Sequence, residues 1–144
     1  MRLIRLTLII HLLLHSALWL PALALVLAAV PDGGLAADFY QVMSGALIIH
    51  LGSYHWAMTQ WHEDLCDGRA WAASIWTALI ALGLGVIVLL FPALGLYAVV
   101  LAVVLLVWQE SWGRMARYIQ PWYLRLRWLQ MISLVLTQLL MQLG

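Results

Sequence analysis

Long apolar stretches, broken by short polar segments, make up almost the whole chain. A membrane-spanning helix needs about 20 mostly apolar residues. The stretch from Ala70 to Gln109 contains no charged residue and is too long for one crossing at about 1.5 Å per residue. Pro92, followed by Gly95, marks a break within it, because proline removes a backbone donor and clashes with the preceding helical turn. The pattern therefore predicts an all-α integral membrane protein, a single bundle of five transmembrane helices over residues 5–30, 39–60, 70–91, 94–112 and 121–143.

The composition supports a lipid-embedded chain. Hydrophobic residues make up 66% of the sequence and charged residues 9%, and the mean hydropathy is +0.99, whereas a soluble domain is roughly a quarter charged. The 144 residues suffice for one compact bundle and leave no length for a separate soluble domain. The formal net charge of +1, with no basic tract, argues against nucleic acid as a partner.

The distribution of basic residues predicts the orientation. Five crossings place every arginine at one end of the bundle, whereas four or six crossings would divide them between both ends. Because basic residues in short loops are retained on the cytoplasmic side, we expect a cytoplasmic N-terminus, a C-terminus on the opposite side and a location in the bacterial cytoplasmic (inner) membrane. Arg125 and Arg127 fall in the first turns of the last predicted helix, where long side chains can snorkel towards headgroups. The arginines are Arg2, Arg5, Arg69, Arg114, Arg117, Arg125 and Arg127.

The N-terminal segment also has features of a secretory signal. Arg2 and Arg5 precede an apolar run that contains the triplet Ala22-Leu23-Ala24, an arrangement typical of cleaved signals. The apolar run is longer than a usual signal core, and we therefore interpret it as the first transmembrane helix.

Small residues recur along the third predicted helix. Thr77, Ala81 and Gly85 are spaced four residues apart and so form one smooth ridge. Because helices in lipid approach each other closely through small side chains, we expect this ridge to pack against a neighbouring helix of the same bundle.

Four histidines within the first two predicted helices are candidate ligands. Ionisable groups at membrane depth are costly and indicate function by default. At about 1.5 Å per residue, His15 and His50 lie roughly 14 and 15 Å from the same membrane surface, and His11 and His55 lie nearer to it. His15 with His50 could therefore bind haem b, and His11 with His55 could bind a transition metal.

Helix geometry limits this hypothesis. Positions five apart diverge by about 140° around a helix, so His50 and His55 cannot both face the first helix, and a cluster of all four histidines is excluded unless the second helix is distorted. The alternative is structural: neutral imidazoles bonded to polar groups of neighbouring helices. The available side-chain partners are Ser16, Ser44, Ser53 and Tyr54.

The remaining polar groups have simple structural interpretations. Glu110 is expected to lie at the membrane interface, paired with Arg114 four residues later. The segment His62–Asp67 contains residue types that can bind metals, but it matches no zinc-ligand spacing and is expected to be a solvated loop. No nucleophile with its base, phosphate-binding loop or zinc-protease motif can be assigned, so no catalytic residue is predicted and an enzymatic role is not favoured.

Two segments resemble a known family. The segment Gly45–Trp56 reads GALIIHLGSYHW, and the segment Pro121–Arg127 reads PWYLRLR. Both are similar to the transmembrane-protein-69-like family, also called domain of unknown function 3429, although Ser53 and His50 differ from its usual glycine and apolar residues. The resemblance implies a small five-helix membrane protein and no established reaction. The positions that carry it are His55, Trp56, Pro121, Trp122, Tyr123, Arg125 and Arg127.

Three classes of function are compatible with the sequence. The first is a non-catalytic inner-membrane protein that acts as an accessory, scaffold or assembly component of a larger complex, with the lipid bilayer and other membrane subunits as its partners. The second is a haem- or metal-binding redox protein that uses the histidines of the first two helices. The third is transport, which would require oligomerisation, because five helices seldom enclose a gated path and the sequence has no visible inverted repeat.

Overall fold

The computed structural model describes residues 2–26, 33–61, 67–113 and 119–143. Within these ranges the chain forms five α-helices and one 3₁₀ turn, and it contains no β-strand. The predicted all-α class is thus confirmed for the described residues. The helices are α1 (Arg2–Val26), α2 (Gly33–Trp61), α3 (Gly68–Leu90), α4 (Gly95–Ser111) and α5 (Pro121–Leu143), and the 3₁₀ turn (Pro92–Leu94) joins α3 to α4.

Local sequence signals determine several helix ends. The carboxylate of Asp67 accepts a hydrogen bond from the backbone N–H of Ala70 at 2.6 Å and so caps the free amides at the start of α3. The long apolar stretch is interrupted at Pro92, as predicted from the sequence. Pro92 is the first residue of the 3₁₀ turn that follows α3. Another proline, Pro121, occupies the first position of α5, a position that proline favours.

The first two helices differ in their bounds from the prediction. α2 begins at Gly33, before the predicted start at residue 39. The prediction took the charged Asp38 as a boundary, but an exposed charged side chain does not interrupt helical backbone hydrogen bonds. The first helix was predicted to reach Val30; the structure describes it as far as Val26, and residues 27–32 lie outside the described part.

Three of the described helices are long and apolar enough to cross a membrane. They are Gly34–Met58, Gly68–Leu90 and Pro92–Ser111, and a shorter apolar stretch covers Ile9–Ala24. The chain is therefore treated as an integral membrane protein.

The helices pack in chain order around the bundle. Each helix contacts the next, and α5 contacts α1, so the described helices form a closed ring in which α2 also contacts α4 and α5. The apolar core lies inside this ring and includes Leu18 of α1, Leu51 of α2 and Leu134 of α5, each with an exposed fraction of at most 1%.

The closest helix packing is that of α2 against α3. A Cβ atom added at Gly85 would lie 2.8 Å from the carbonyl oxygen of Gly45, and one added at Gly45 would lie 2.8 Å from the carbonyl oxygen of Gly85. A Cβ at Gly52 would overlap the side chain of Ala81. The predicted small-residue ridge of Thr77, Ala81 and Gly85 is buried and packs within the bundle, as expected from the principle of close helix approach.

Candidate functional site

Three polar side chains are buried together where α2, α4 and α5 meet. His55 of α2, Glu110 of α4 and Arg127 of α5, here called the charged cluster, have exposed fractions of 0%, 1% and 0%. Glu110 stands in the last turn of α4, whereas His55 and Arg127 are each about 9 Å along the axis from the nearer end of their helices at 1.5 Å per residue. The cluster therefore lies inside the bundle, towards the end where α2 and α4 finish and α5 begins.

One carboxylate oxygen is the centre of the charged cluster. The Nε of Arg127 donates a hydrogen bond to Oε1 of Glu110 at 2.5 Å, and Nη2 of the same guanidinium lies 2.5 Å from that oxygen. Nη2 also donates to the backbone carbonyl of Leu51 at 2.8 Å, one turn before His55 on α2. The Nε2 atom of His55 lies 3.3 Å from the same carboxylate oxygen. Arg127 thus links α5 to both α4 and α2.

Aromatic rings cover the guanidinium of Arg127. Its Cζ atom lies 4.6 Å from the ring centroid of Tyr54 and 5.9 Å from that of Tyr123, within the range of cation–π attraction. The two tyrosine rings have centroids 4.9 Å apart. The imidazole of His11, on α1, meets the Tyr123 ring edge-on at 5.7 Å, so α1 also contacts the surroundings of the cluster.

The electrostatics of the cluster require its members to stay paired. A buried carboxylate or guanidinium is strongly unfavourable alone, and removing one partner of a buried ion pair typically costs about 3–5 kcal/mol. Glu110 and Arg127 compensate each other in charge, and a neutral His55 leaves the cluster with no net charge. Chemically, the arrangement places an imidazole beside a carboxylate that is already paired with a guanidinium.

The candidate histidines occupy different environments. His55 belongs to the charged cluster, and His11 is 4% exposed beside Tyr123, so the structure brings this pair to the same region. His15 is partly buried on α1, and His50 is on the exposed surface of α2. Three of the suggested partners donate instead to carbonyls of their own helices, namely Ser16 to Leu12, Ser44 to Gln41 and Ser53 to His50.

The binding of a metal or of haem by these histidines is still a prediction. Among the described residues, no group of three or more histidine, cysteine, aspartate or glutamate side chains could hold a metal ion. The other metal-capable segment, His62–Asp67, lies outside the described residues except for Asp67, which caps α3.

The two interpretations of charged residues have different outcomes. Glu110 is buried and pairs with Arg127, and its expected pairing with Arg114 stays a prediction because Arg114 lies outside the described residues. Arg125 and Arg127 were both expected to snorkel to the headgroups; Arg125 is exposed, but the expectation was wrong for Arg127, which is buried. The physical reason is helix geometry. Residues that are two positions apart differ by about 200° around the helix axis, so Arg125 faces outwards when Arg127 faces the core.

Sequence reasoning missed the charged cluster because its partners are distant in the chain. A signal was nevertheless present in α5, where the buried polar positions recur at helical spacing on one face. These positions are Arg127, Gln130, Thr137 and Gln138.

The two segments that carry the family resemblance meet at this site. His55 comes from the first segment, and Tyr123 and Arg127 come from the second. The other motif positions have different surroundings: Trp56 and Trp122 are 51% and 41% exposed. No protein-family model, curated protein or solved structure matches the chain.

Proposed function

We propose that this chain is a five-span inner-membrane protein without catalysis of its own, which acts as an accessory, scaffold or assembly component of a larger membrane complex. The observation that carries the proposal is the charged cluster, in which Glu110 and Arg127 form a fully buried ion pair. Because the two charges are paired with each other inside the bundle, their role is to hold α4 and α5 together.

The outer surface supplies the contact area that this role requires. Many large apolar side chains are exposed on the bundle, among them Trp76 at 65%, Trp108 at 53% and Leu101 at 57%. In a membrane these side chains face lipid or another apolar helix surface, and packing between helices there depends on shape and on a few polar contacts. Other membrane subunits are therefore the partners that the surface suits.

The proposed orientation places the charged cluster towards the cytoplasm. Arg69 and Arg125 are exposed, and both stand at the helix ends nearest the cluster. Retention of basic residues on the cytoplasmic side then gives a cytoplasmic N-terminus and a C-terminus on the opposite side.

The experiment is cross-linking in intact membranes, followed by purification of the tagged chain in mild detergent and measurement of its native mass. Cross-linking first prevents detergent from removing a weakly held partner. We expect defined adducts heavier than the 16.2 kDa chain that contain another membrane protein. Recovery of the chain alone, with and without cross-linking, would refute the accessory role.

A redox role is the second candidate, and the location of His11 and His55 in one region favours it. Two imidazoles suit the redox-active metals Cu, Fe and Ni. A carboxylate beside a ligating histidine is a frequent supporting feature, and Glu110 lies beside His55 in this way. The purified protein would then contain metal, or would show a Soret band that disappears in His15→Ala if haem is held by His15 and His50. A colourless, metal-free preparation excludes this role.

A further inference from the structure

A polar groove opens at the end of the bundle opposite the charged cluster. Its volume is about 320 Å³, and it lies between the first turns of α2, the 3₁₀ turn and the last turns of α5. This volume is at the lower end of the range for ligand pockets and so suits a small group. Its polar lining residues are Tyr40, Gln41, Ser44, Gln138 and Gln142.

Two of these side chains are fixed by bonds within the bundle. Gln41 donates from Nε2 to the carbonyls of Val88 at 2.9 Å and Leu89 at 2.8 Å, which satisfies acceptors at the end of α3 that have no helical partner. The hydroxyl of Tyr40 lies 3.0 Å from Oγ1 of Thr137. The walls of the groove are therefore preorganised.

Gln138 is the side chain with spare hydrogen-bonding capacity. It is 7% exposed, it lines the groove, and its Oε1 accepts no hydrogen bond from any described residue. Gly95 provides the space for this amide, since a Cβ atom there would lie 3.1 Å from Nε2 of Gln138. An acceptor buried without a donor is unfavourable by about 1–3 kcal/mol, so the groove favours a ligand that brings a donor.

The absence of charged side chains among the described lining residues and the apolar residues beside the groove indicate which class of ligand fits. None of the described lining residues is acidic, basic or a histidine, so neither an ammonium nor a phosphate group would find a countercharge. A hydroxyl group can donate to Gln138 and accept from the other amides. Phe91 and Leu94 adjoin the lining residues Pro92 and Ala93 and are 55% and 49% exposed, which provides an apolar surface for acyl chains beside the polar groove.

We propose that this groove binds the uncharged, hydroxyl-bearing headgroup of a membrane lipid, of which diacylglycerol is the simplest example. The headgroup hydroxyl donates to Oε1 of Gln138 when this buried amide turns towards the groove, and the acyl chains lie along the exposed apolar residues beside the 3₁₀ turn. The site is independent of the accessory role proposed above, because it uses none of the residues of the charged cluster.

The test is titration of the purified full-length chain with dioleoylglycerol, with lipid-bound and free protein measured by native mass spectrometry. Loss of one hydrogen bond of about 0.5–1.5 kcal/mol corresponds to roughly three- to tenfold weaker binding, and we expect this change for Gln138→Leu. The matched control is Gln130→Leu, which removes a buried amide of the same helix outside the groove lining and should leave binding unchanged. Gly95→Ala, which displaces the Gln138 amide, should weaken binding in the same direction even if Gln138→Leu fails to fold.

Comparison lipids distinguish the alternatives. Phosphatidylglycerol and phosphatidylethanolamine should bind more weakly than dioleoylglycerol, because each brings charged groups into an uncharged groove. Preferential binding of either lipid, or binding of dioleoylglycerol that is equal in the wild type, Gln138→Leu and Gly95→Ala, overturns the proposal. If free glycerol binds as tightly as dioleoylglycerol, the ligand is a soluble polyol and the assignment to a lipid is wrong. No binding of any probe also overturns it.

Discussion

Breaking the ion pair between Glu110 and Arg127 should destabilise the bundle far more than removing both charges. Glu110→Gln leaves the buried guanidinium without a countercharge, and Arg127→Met leaves the carboxylate with only the imidazole of His55 beside it and removes the side-chain donor to the carbonyl of Leu51. Each single substitution should lower the free energy of unfolding by about 3–5 kcal/mol. This is a large part of the roughly 5–15 kcal/mol by which folded proteins are typically stable.

The double variant gives the decisive comparison. With both charges removed, the penalty for an unpaired buried charge disappears, so the double variant should be more stable than either single variant by about 2–3 kcal/mol, and the two single effects should not add. Reversible unfolding in mixed micelles of mild detergent and dodecyl sulfate, followed by circular dichroism, measures each term. Arg125→Met is the matched control, because it removes an exposed arginine from the same helix and should change stability by less than about 0.5 kcal/mol.

Two results would contradict this reasoning. Single-variant losses below about 1 kcal/mol would mean that water reaches the cluster and that the pair behaves like an exposed one. Additive effects in the double variant would mean that Glu110 and Arg127 contribute separately and do not link α4 to α5.

Further predictions concern helix packing, the histidines and the topology. Gly85→Ala should lower the free energy of unfolding by about 1–3 kcal/mol, because its Cβ would overlap α2, whereas Gly83→Ala, where a Cβ meets nothing within 4 Å, should be neutral or stabilising in the same unfolding assay. His55→Ala should destabilise the chain by about 1–3 kcal/mol through the lost contact with the buried carboxylate, and the exposed His50→Ala should not; equal effects would contradict their different burial. Accessibility labelling of tags at the two termini should find them on opposite sides of the membrane, and labelling on one side would refute five crossings.

The sequence predicted the features that depend on local order. Pro92 and Pro121 mark helix boundaries because proline restricts its own backbone wherever the chain folds. The ridge from Thr77 to Gly85 was predictable because small residues at a spacing of four allow helices in lipid to approach each other closely. Gly45 and Gly52 of α2 meet this ridge within the bundle.

The charged cluster depends on tertiary structure and could not be predicted in the same way. Glu110 and Arg127 are 17 residues apart, and the nearer Arg114 offered an equally simple local partner for Glu110 at the sequence level. The sequence predicted how far His55 lies from the end of its helix, but it did not predict the partner of His55. The spacing of residues on a helix indicates which face is buried and does not indicate which neighbouring helix that face contacts. The direction of Arg127 follows from the buried face of α5, which also contains Met131 and Leu134.

The charged cluster also explains how α5 can belong to the bundle although it is not among the three helices that are apolar enough to span a membrane by composition. A charged side chain within an isolated transmembrane helix is unfavourable, and α5 also buries two amides, those of Gln130 and Gln138. Arg127 finds its hydrogen-bond partners on neighbouring helices, at Glu110 of α4 and at the carbonyl of Leu51 of α2, and Thr137 contacts the hydroxyl of Tyr40 on α2. The placement of α5 is therefore a property of the assembled bundle, and Glu110 is the residue of α4 that pairs with its buried arginine.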